Sequence, residues 1–469
     1  MGFMPVGLTL AQLQQRLRKR ELSPVEAVEA YWRQISRVNP KINAIAVPFE
    51  AESRAASRAA EEALMRGEGN GALHGIPVTV KDSFDVAGVP TRCGSRFWGL
   101  TPAAEDATAV ARLRAAGAIV LGKTNCPEFL GNYETDNYIT GRTNNPWDLD
   151  RTPGGSSGGE AALIAARGSA GGIGSDGGGS IRVPAHFCGV AGLKPTPGRC
   201  SAAGHVPTIN HPGGLLGVGG PIARTVEDVK ILYEVLAGDD TEDPFSAPVP
   251  VDWKGTGETR IGVMEQFYQV PVQSAVREAV AKAAQLLGDA GFGVDEFRPR
   301  GIERAPNLWW FFFGILPAPF TRKVIEGRET EAHWTGTEFL KRALEEKQPT
   351  ASEVMEKLAL RDKMRADLLR QMRNTPVLLM PVCGTVAFRH RQRRYATPEK
   401  EISQFEAMMP STPFNLLGMP GLTVPLSRDA DGMPVGVQLV GRPWEEARLL
   451  EAGMVLERAR GAFPSPPLS

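Results

Sequence analysis

Cysteine is scarce in this chain. Five residues in 469, Cys93, Cys126, Cys188, Cys200 and Cys383, are odd in number, far apart and form no C-x-x-C pair. Such a set builds neither a disulfide framework nor a zinc knuckle, so a reducing, cytoplasmic setting without a bound metal is expected. Net charge is missing too: Lys plus Arg and Asp plus Glu both number 53. Without a net positive field a nucleic-acid partner is not expected, and the basic cluster Arg389, Arg391, Arg393, Arg394 reads as a solvated loop. Long apolar runs are also absent. The most apolar stretch, Trp309 to Phe320, is interrupted by Pro317 and Pro319 and falls short of the about 20 residues that a bilayer demands. The N-terminus, MGFMPVGLTLAQLQQRLRKR, has no basic segment ahead of an apolar one, and Val6 stands where a myristoylation signal wants Ser or Thr. Neither export nor a lipid anchor is expected.

What the chain does have is core material, with 42% hydrophobic and 23% charged residues, the balance of an ordinary soluble globular protein. Residues 8 to 67 read as helices. Leu8, Leu10, Leu13 and Leu17 share one face, Ser23-Pro24 with Glu26 starts a second helix, and the Ala-rich 51 to 66 forms a third. The run Gly75-Ile76-Pro77-Val78-Thr79-Val80-Lys81-Asp82 then reads as a buried strand ending on Lys81, and Ala118 to Gly122 as another, with a helix over 107 to 116 between them. Residues 257 to 300 read strand, helix, strand; 301 to 375 are helical and aromatic; 376 to 381 and 422 to 425 read as strands. This alternation predicts an α/β fold with a mixed sheet. Finding no linker or repeat, we expect one domain over 1–469, with a variable helical insertion over 300–375.

Glycine is dense from Thr152 to Pro184, TPGGSSGGEAALIAARGSAGGIGSDGGGSIRVP. Serines flanked by glycines suit a backbone that must approach another group closely. Ser156 and Ser157 sit in one such cluster and Ser180 in the other. Between them Glu160 to Ala166 reads as a helix and Ala170 to Gly174 as a small-residue strand, so chain reversal can bring the serines to one sheet edge. Gly177, Gly178 and Gly179 would offer unobstructed N–H groups to an oxyanion. Ser180 would open a short helix over Ile181 to Phe187, whose dipole favours negative charge. A serine hydroxyl needs a base, and a buried Lys81 without a carboxylate partner can be one. Asp82 is adjacent in sequence, but neighbouring strand residues face opposite ways.

Lys81 within GIPVTVKD, the block GGSSGGEAALIAARGSAGGIGSDGGGSIRVPAHFCGVAGLKPT and the segment GPIARTVEDV together resemble the amidase signature family, in its amidase and fatty acid amide hydrolase-like branch. The resemblance runs from the first helices to Gly418-Met419-Pro420-Gly421 and Val435-Gly436-Val437-Gln438-Leu439, and the spacing of Ser156 and Ser180 suits the family's Ser-Ser-Lys triad. It implies a central mixed sheet covered by helices on both faces. It also implies a mechanism in which Lys81 takes a proton from Ser156, Ser156 takes one from Ser180, and Ser180 attacks a carbonyl to form an acyl-enzyme that water releases. In this likeness Gly155-Ser156 is a cis peptide and Asp176 and Arg182 brace the glycine loop. The family often carries a larger residue where this chain has Gly177, which implies a more open loop.

Other readings of the same residues are weaker. Gly155-x-Ser157-x-Gly159 satisfies the nucleophile-elbow pattern, but a turn precedes it and no histidine stands out as base. Gly172-x-Gly174-x-x-Gly177 matches a dinucleotide fingerprint, but Pro184 interrupts the helix it should open. Ser157 suits an N-cap of the following helix. His186, Cys188 and Cys126 lack metal-ligand spacing and read as packed. The resemblance implies a pocket wall through Leu130, Tyr133 and Glu134 and an acyl side lined by the aromatic stretch that holds Trp309 and Phe313, a lining that suits neutral, hydrophobic or aryl substrates. The expected enzyme is an amidase acting on aryl or hydrophobic acyl amides, with esters and carbamates presenting the same carbonyl. It needs no cofactor, takes a small-molecule amide as its partner, and works as a monomer or homodimer. The alternative is a glutamine-hydrolysing subunit of a tRNA-dependent amidotransferase complex.

Overall fold

A computed structural model describes residues 5–69, 71–208, 216–253 and 259–469. The β-branched and small-residue runs form strands β1 (Ile45–Pro48), β2 (Pro77–Lys81), β3 (Ile119–Thr124), β4 (Gly171–Asp176), β5 (Ala191–Lys194), β6 (Val218–Ala223), β7 (Arg260–Val263), β8 (Gly293–Glu296), β9 (Val377–Pro381), β10 (Arg394–Ala396), β11 (Glu401–Ser403), β12 (Gly421–Arg428) and β13 (Pro434–Gly441). Eleven of them make one sheet in the order β1-β3-β2-β4-β6-β5-β12-β13-β9-β7-β8, and β10 pairs with β11. The sheet is mixed. β2 runs parallel to both β3 and β4, and β7 parallel to β8 and β9, while β4 to β6, β12 to β13 and β13 to β9 are antiparallel. Every residue of β2, β3 and β4 is buried, as expected of strands covered on both faces.

Helices flank this sheet. The second begins as its sequence predicts: Ser23 Oγ accepts from the Glu26 amide, the Glu26 side chain accepts from the Ser23 amide, and Pro24 fills the first turn. The helix Gly158–Ala165 is buried on every side, so it lies inside the molecule rather than over it. Residues 301 to 375 are helical as expected: Ala305–Trp310 continues into a wider turn, Phe311–Ile315, and is followed by Ala318–Ile325, Trp334–Leu344 and Ala351–Gln371. Strands β5, β6, β10, β11 and β13 and the helices Val226–Leu236 and Glu446–Arg460 are additions to the sequence reading, and β1 interrupts the stretch 8 to 67 that reads as helical.

The basic cluster divides in two. Arg389 and Arg394 are exposed, but Arg391 and Arg393 lie over the Trp334 ring, and Arg393 pairs with Glu134 and Glu338, both at 2.5 Å. Half of the expected solvated loop is therefore a clasp on the helix Trp334–Leu344. Among the described residues no helix is long and apolar enough to cross a membrane. All five cysteines are free and buried.

Candidate active site

Because β2 and β4 are parallel neighbours, their C-terminal ends meet at one sheet edge, the place where open α/β sheets carry their ligands. Lys81 ends β2 and Ser175 and Asp176 end β4. Lys81 is fully buried. Its Nζ donates to Ser156 Oγ at 2.7 Å, to Ser175 Oγ at 3.0 Å and to the Ser175 carbonyl at 3.4 Å. Burial disfavours the ammonium form and brings the amine down to about 8. Asp82 does not restore it. On the other side of the pleat its carboxylate pairs with buried Lys123 at 2.7 Å.

Ser156 follows a cis Gly155–Ser156 peptide, as the resemblance implied. Ser157 precedes the helix Gly158–Ala165 but makes no side-chain capping bond, which corrects the N-cap reading. Its Oγ instead donates to the Ser175 carbonyl at 3.2 Å and accepts from the Ser175 amide at 3.3 Å, and its own amide donates to the Ser180 carbonyl at 3.1 Å. Ser157 thus ties both serine loops to β4. Ser156, Ser175, Asp176, Gly177 and Ser180 all border one cavity of about 340 Å³.

Asp176 and Arg182 brace the glycine loop as implied. Asp176 accepts from the amides of Gly179 (2.7 Å), Ile181 (3.0 Å) and Arg182 (3.3 Å), and from the Arg182 guanidinium at 3.0 and 3.1 Å. Burial alone would raise this carboxyl, but the charge and hydrogen bonds of Arg182 outweigh it and hold Asp176 well below the ordinary carboxylate range. One expectation changes here. The Gly179 N–H is engaged by Asp176, so of the three glycines it is not available to an oxyanion. Arg182 reaches on to Asn415 Oδ1 at 2.5 Å and Gln438 Oε1 at 3.0 Å.

The wall candidates separate. Leu130 and Phe313 line the cavity, together with Trp98, Phe129, Phe312 and Phe339. Tyr133, Glu134 and Trp309 do not. The Tyr133 hydroxyl and the Trp309 indole turn away to donate to the Gly178 and Gly177 carbonyls, each at 2.8 Å. Glu134 is held by Arg393, and an ionised carboxylate in that pair is satisfied away from the cavity. No Lys or Arg is among the described lining residues. His205, which also lines the cavity, is pushed down to about 3 by burial and stays neutral. His186, read as packed, is buried between Thr385 and Gly436.

Sequence reasoning missed Ser175, Lys123, Asn415, Gln438 and Glu160. The last is a fully buried carboxyl that accepts from Thr79 at 2.5 Å and Thr124 at 2.7 Å and is raised to about 7 by burial. A signal existed for Glu160 and Gln438: each is a polar residue inside an otherwise apolar run. Nothing local distinguishes Ser175 or Asn415.

This constellation of a buried lysine, two glycine-flanked serines and an ion-paired glycine loop coincides with a match to the Amidase family over residues 26–450. One subunit of the Glutamyl-tRNA(Gln) amidotransferase from Roseiflexus castenholzii is 35% identical over 96% of this chain and 95% of its own. Among solved structures, a 6-aminohexanoate cyclic dimer hydrolase superposes with a TM-score of 0.87 at 28% identity over 99% of both chains. The corresponding Glutamyl-tRNA(Gln) amidotransferase chain from Thermotoga maritima superposes with a TM-score of 0.75 at 25% identity, over 100% of this chain and 99% of its own. The chain belongs to the Amidase family of amidase signature enzymes. It is a hydrolase acting on carbon–nitrogen amide bonds.

Proposed function

We propose that the chain cleaves its amide through an acyl-enzyme on Ser180, with Ser156 as proton bridge and Lys81 as base. The 2.7 Å contact of Lys81 Nζ with Ser156 Oγ, buried and free of any carboxylate partner among the described residues, carries this reading. A neutral Lys81 accepts the Ser156 proton as Ser156 accepts that of Ser180, and the freed Oγ attacks the carbonyl. Negative charge on the tetrahedral intermediate falls to the Gly177 and Gly178 amides. On collapse the proton returns through Ser156 to the leaving amine, and water then releases the acid. The cavity's aromatic walls and its want of described cationic lining support a neutral, hydrophobic or aryl acyl group, with esters and carbamates as further substrates. Residues 300–375, which supply Phe312, Phe313 and Phe339, form in this reading the variable part of a single domain that sets acyl preference. The five unpaired buried cysteines support a reducing, cytoplasmic setting.

A second reading is favoured by the relatives. The length shared with the Roseiflexus Glutamyl-tRNA(Gln) amidotransferase chain supports a glutamine-hydrolysing subunit working with protein partners, and weighs against a dedicated aryl amidase. Free glutamine carries an ammonium and a carboxylate, and burying either requires a counter-charge. Purified protein, without partners, is to be incubated with p-nitroanilides, anilides, carbamates and L-glutamine beside Ser180→Ala and Lys81→Ala. Turnover of hydrophobic amides that both substitutions abolish is the expected result. Activity confined to glutamine selects the second reading, and full activity in Ser180→Ala removes the mechanism.

A further inference from the structure

A glycine loop has no intrinsic direction. Gly177 and Gly178 lack the Cβ that narrows backbone choice, yet an oxyanion is stabilised only by N–H groups already aimed at it. In a trans peptide the C=O and N–H point opposite ways, so whatever grips a carbonyl oxygen also aims the next residue's N–H. Two side chains grip consecutive carbonyls here. The Trp309 indole N–H donates to the Gly177 oxygen at 2.8 Å, and the Tyr133 hydroxyl donates to the Gly178 oxygen at 2.8 Å. The second peptide is held at both ends, since its N–H, that of Gly179, donates to Asp176 Oδ1 at 2.7 Å. The first is held only through its oxygen, which leaves the Gly178 N–H directed away from Trp309.

Both donors are themselves fixed. Trp309 is 1% exposed and Tyr133 5%. The Trp309 ring stacks on Phe313 at 4.5 Å with a 16° tilt. A Cβ on Gly178 would lie 2.4 Å from Trp309 Cζ2, so the ring occupies the space a side chain there would need. The two donors also come from distant parts of the chain. Tyr133 follows the turn Glu128–Leu130, and Trp309 lies in the helix Ala305–Trp310.

We propose that Trp309 is a positioning residue that sets the direction of the Gly178 amide and thereby the strength of oxyanion stabilisation, while Tyr133 secures the neighbouring Gly178–Gly179 peptide, whose N–H is already taken by Asp176. The inference rests on the acyl-enzyme reading above. It couples the helical segment 300–375 to the reaction rate as well as to the acyl pocket. Neither group titrates near neutrality, so a loss caused by misdirected amides differs from one caused by a disturbed Lys81.

The test uses the intact protein and an amide it hydrolyses. Trp309 is replaced by Phe and, separately, by 3-benzothienylalanine, which keeps the bicyclic shape and loses only the N–H; Tyr133→Phe, which releases only the peptide already tied to Asp176, is the comparison variant and is expected to lose less. Deleting an oxyanion donor outright costs about a hundred- to a thousandfold in kcat. Redirecting one is expected to cost about ten- to a hundredfold, with KM within about twofold and the pH profile unmoved. A trifluoromethyl ketone that adds to Ser180 places an oxyanion in the loop, so its affinity is expected to fall in parallel with kcat/KM. If the benzothienyl variant keeps its kcat, or loses only KM while the ketone binds as before, the positioning role is overturned. That result is separable from failure of the acyl-enzyme reading, which appears as turnover surviving in Ser180→Ala.

Discussion

At the scale of single residues, the basicity that the proposed mechanism asks of Lys81 is set by its surroundings. Its three acceptors, Ser156 Oγ, Ser175 Oγ and the Ser175 carbonyl, are all neutral, and burial, which brings it to about 8, is the largest influence on it. The proposed mechanism needs the free amine, so kcat/KM is expected to rise with pH, to fall off below about 8, and to level above it. Glu160 modulates that limb. When ionised, it favours the lysine's charged form, so Glu160→Gln, which keeps an acceptor for one of Thr79 and Thr124 and turns an N–H toward the other, is expected to lower the Lys81 pKa. The acid limb then moves to lower pH. A pH series of kcat/KM on wild type and Glu160→Gln checks both statements; a limb that moves upward, or does not move, contradicts the placement of Glu160 behind the base.

At the scale of elements, the glycine loop is held by an ion pair that spans the sheet. Arg182 lies in the short helix after Ser180 and binds Asp176 at the end of β4, Asn415 just ahead of β12, and Gln438 within β13. Arg182 and Asp176 are both fully buried. Removing one partner leaves the other charge stranded, so Arg182→Met is expected to destabilise the fold by about 3–5 kcal/mol. A double substitution, Arg182→Met with Asp176→Asn, is expected to recover part of the stability and none of the activity, because Gly179, Ile181 and Arg182 lose their charged acceptor. Urea unfolding beside amide turnover separates the two effects. This network also marks how far the sequence could be read. Lys81, Ser156 and Ser180 lie within local patterns, in a strand end and glycine clusters whose chemistry can be read residue by residue, whereas Asp176 and Arg182 are marked only by the family resemblance. Asn415 and Gln438 become partners only because the sheet order brings β12 and β13 beside β5 and β6, and no local pattern encodes that order. Tyr133 and Trp309 misled for a related reason. The family resemblance placed them near the pocket, but the polar tip of each decided which way it turned, and a buried N–H or O–H seeks an acceptor. Strands β2, β3, β9 and β12, by contrast, are legible as apolar runs, whereas the equally buried but glycine- and proline-interrupted β6 and β13 are not, and β1 is absorbed into a stretch that reads as helical.

At the scale of the whole molecule, the charges balance, 53 against 53, and the cavity offers no described lysine or arginine to its contents. A balanced surface exerts no long-range pull on a charged ligand, and association with a neutral ligand is indifferent to screening. If the hydrophobic-amide reading holds, kcat/KM for a neutral anilide should change by less than about twofold between 20 mM and 500 mM NaCl, a span over which the Debye length falls from about 20 Å to about 4 Å. The same titration distinguishes the second reading. Glutamine is a zwitterion, and a protein that captures it must place fixed charges against both of its ends; partner chains and a tRNA would add surfaces whose attraction decays with salt. A steep fall of activity with salt on glutamine, together with indifference to the anilide, would place the physiological substrate on the glutamine side. A flat response to salt on a hydrophobic amide, with glutamine untouched, would assign the cavity's aromatic walls to the acyl group itself.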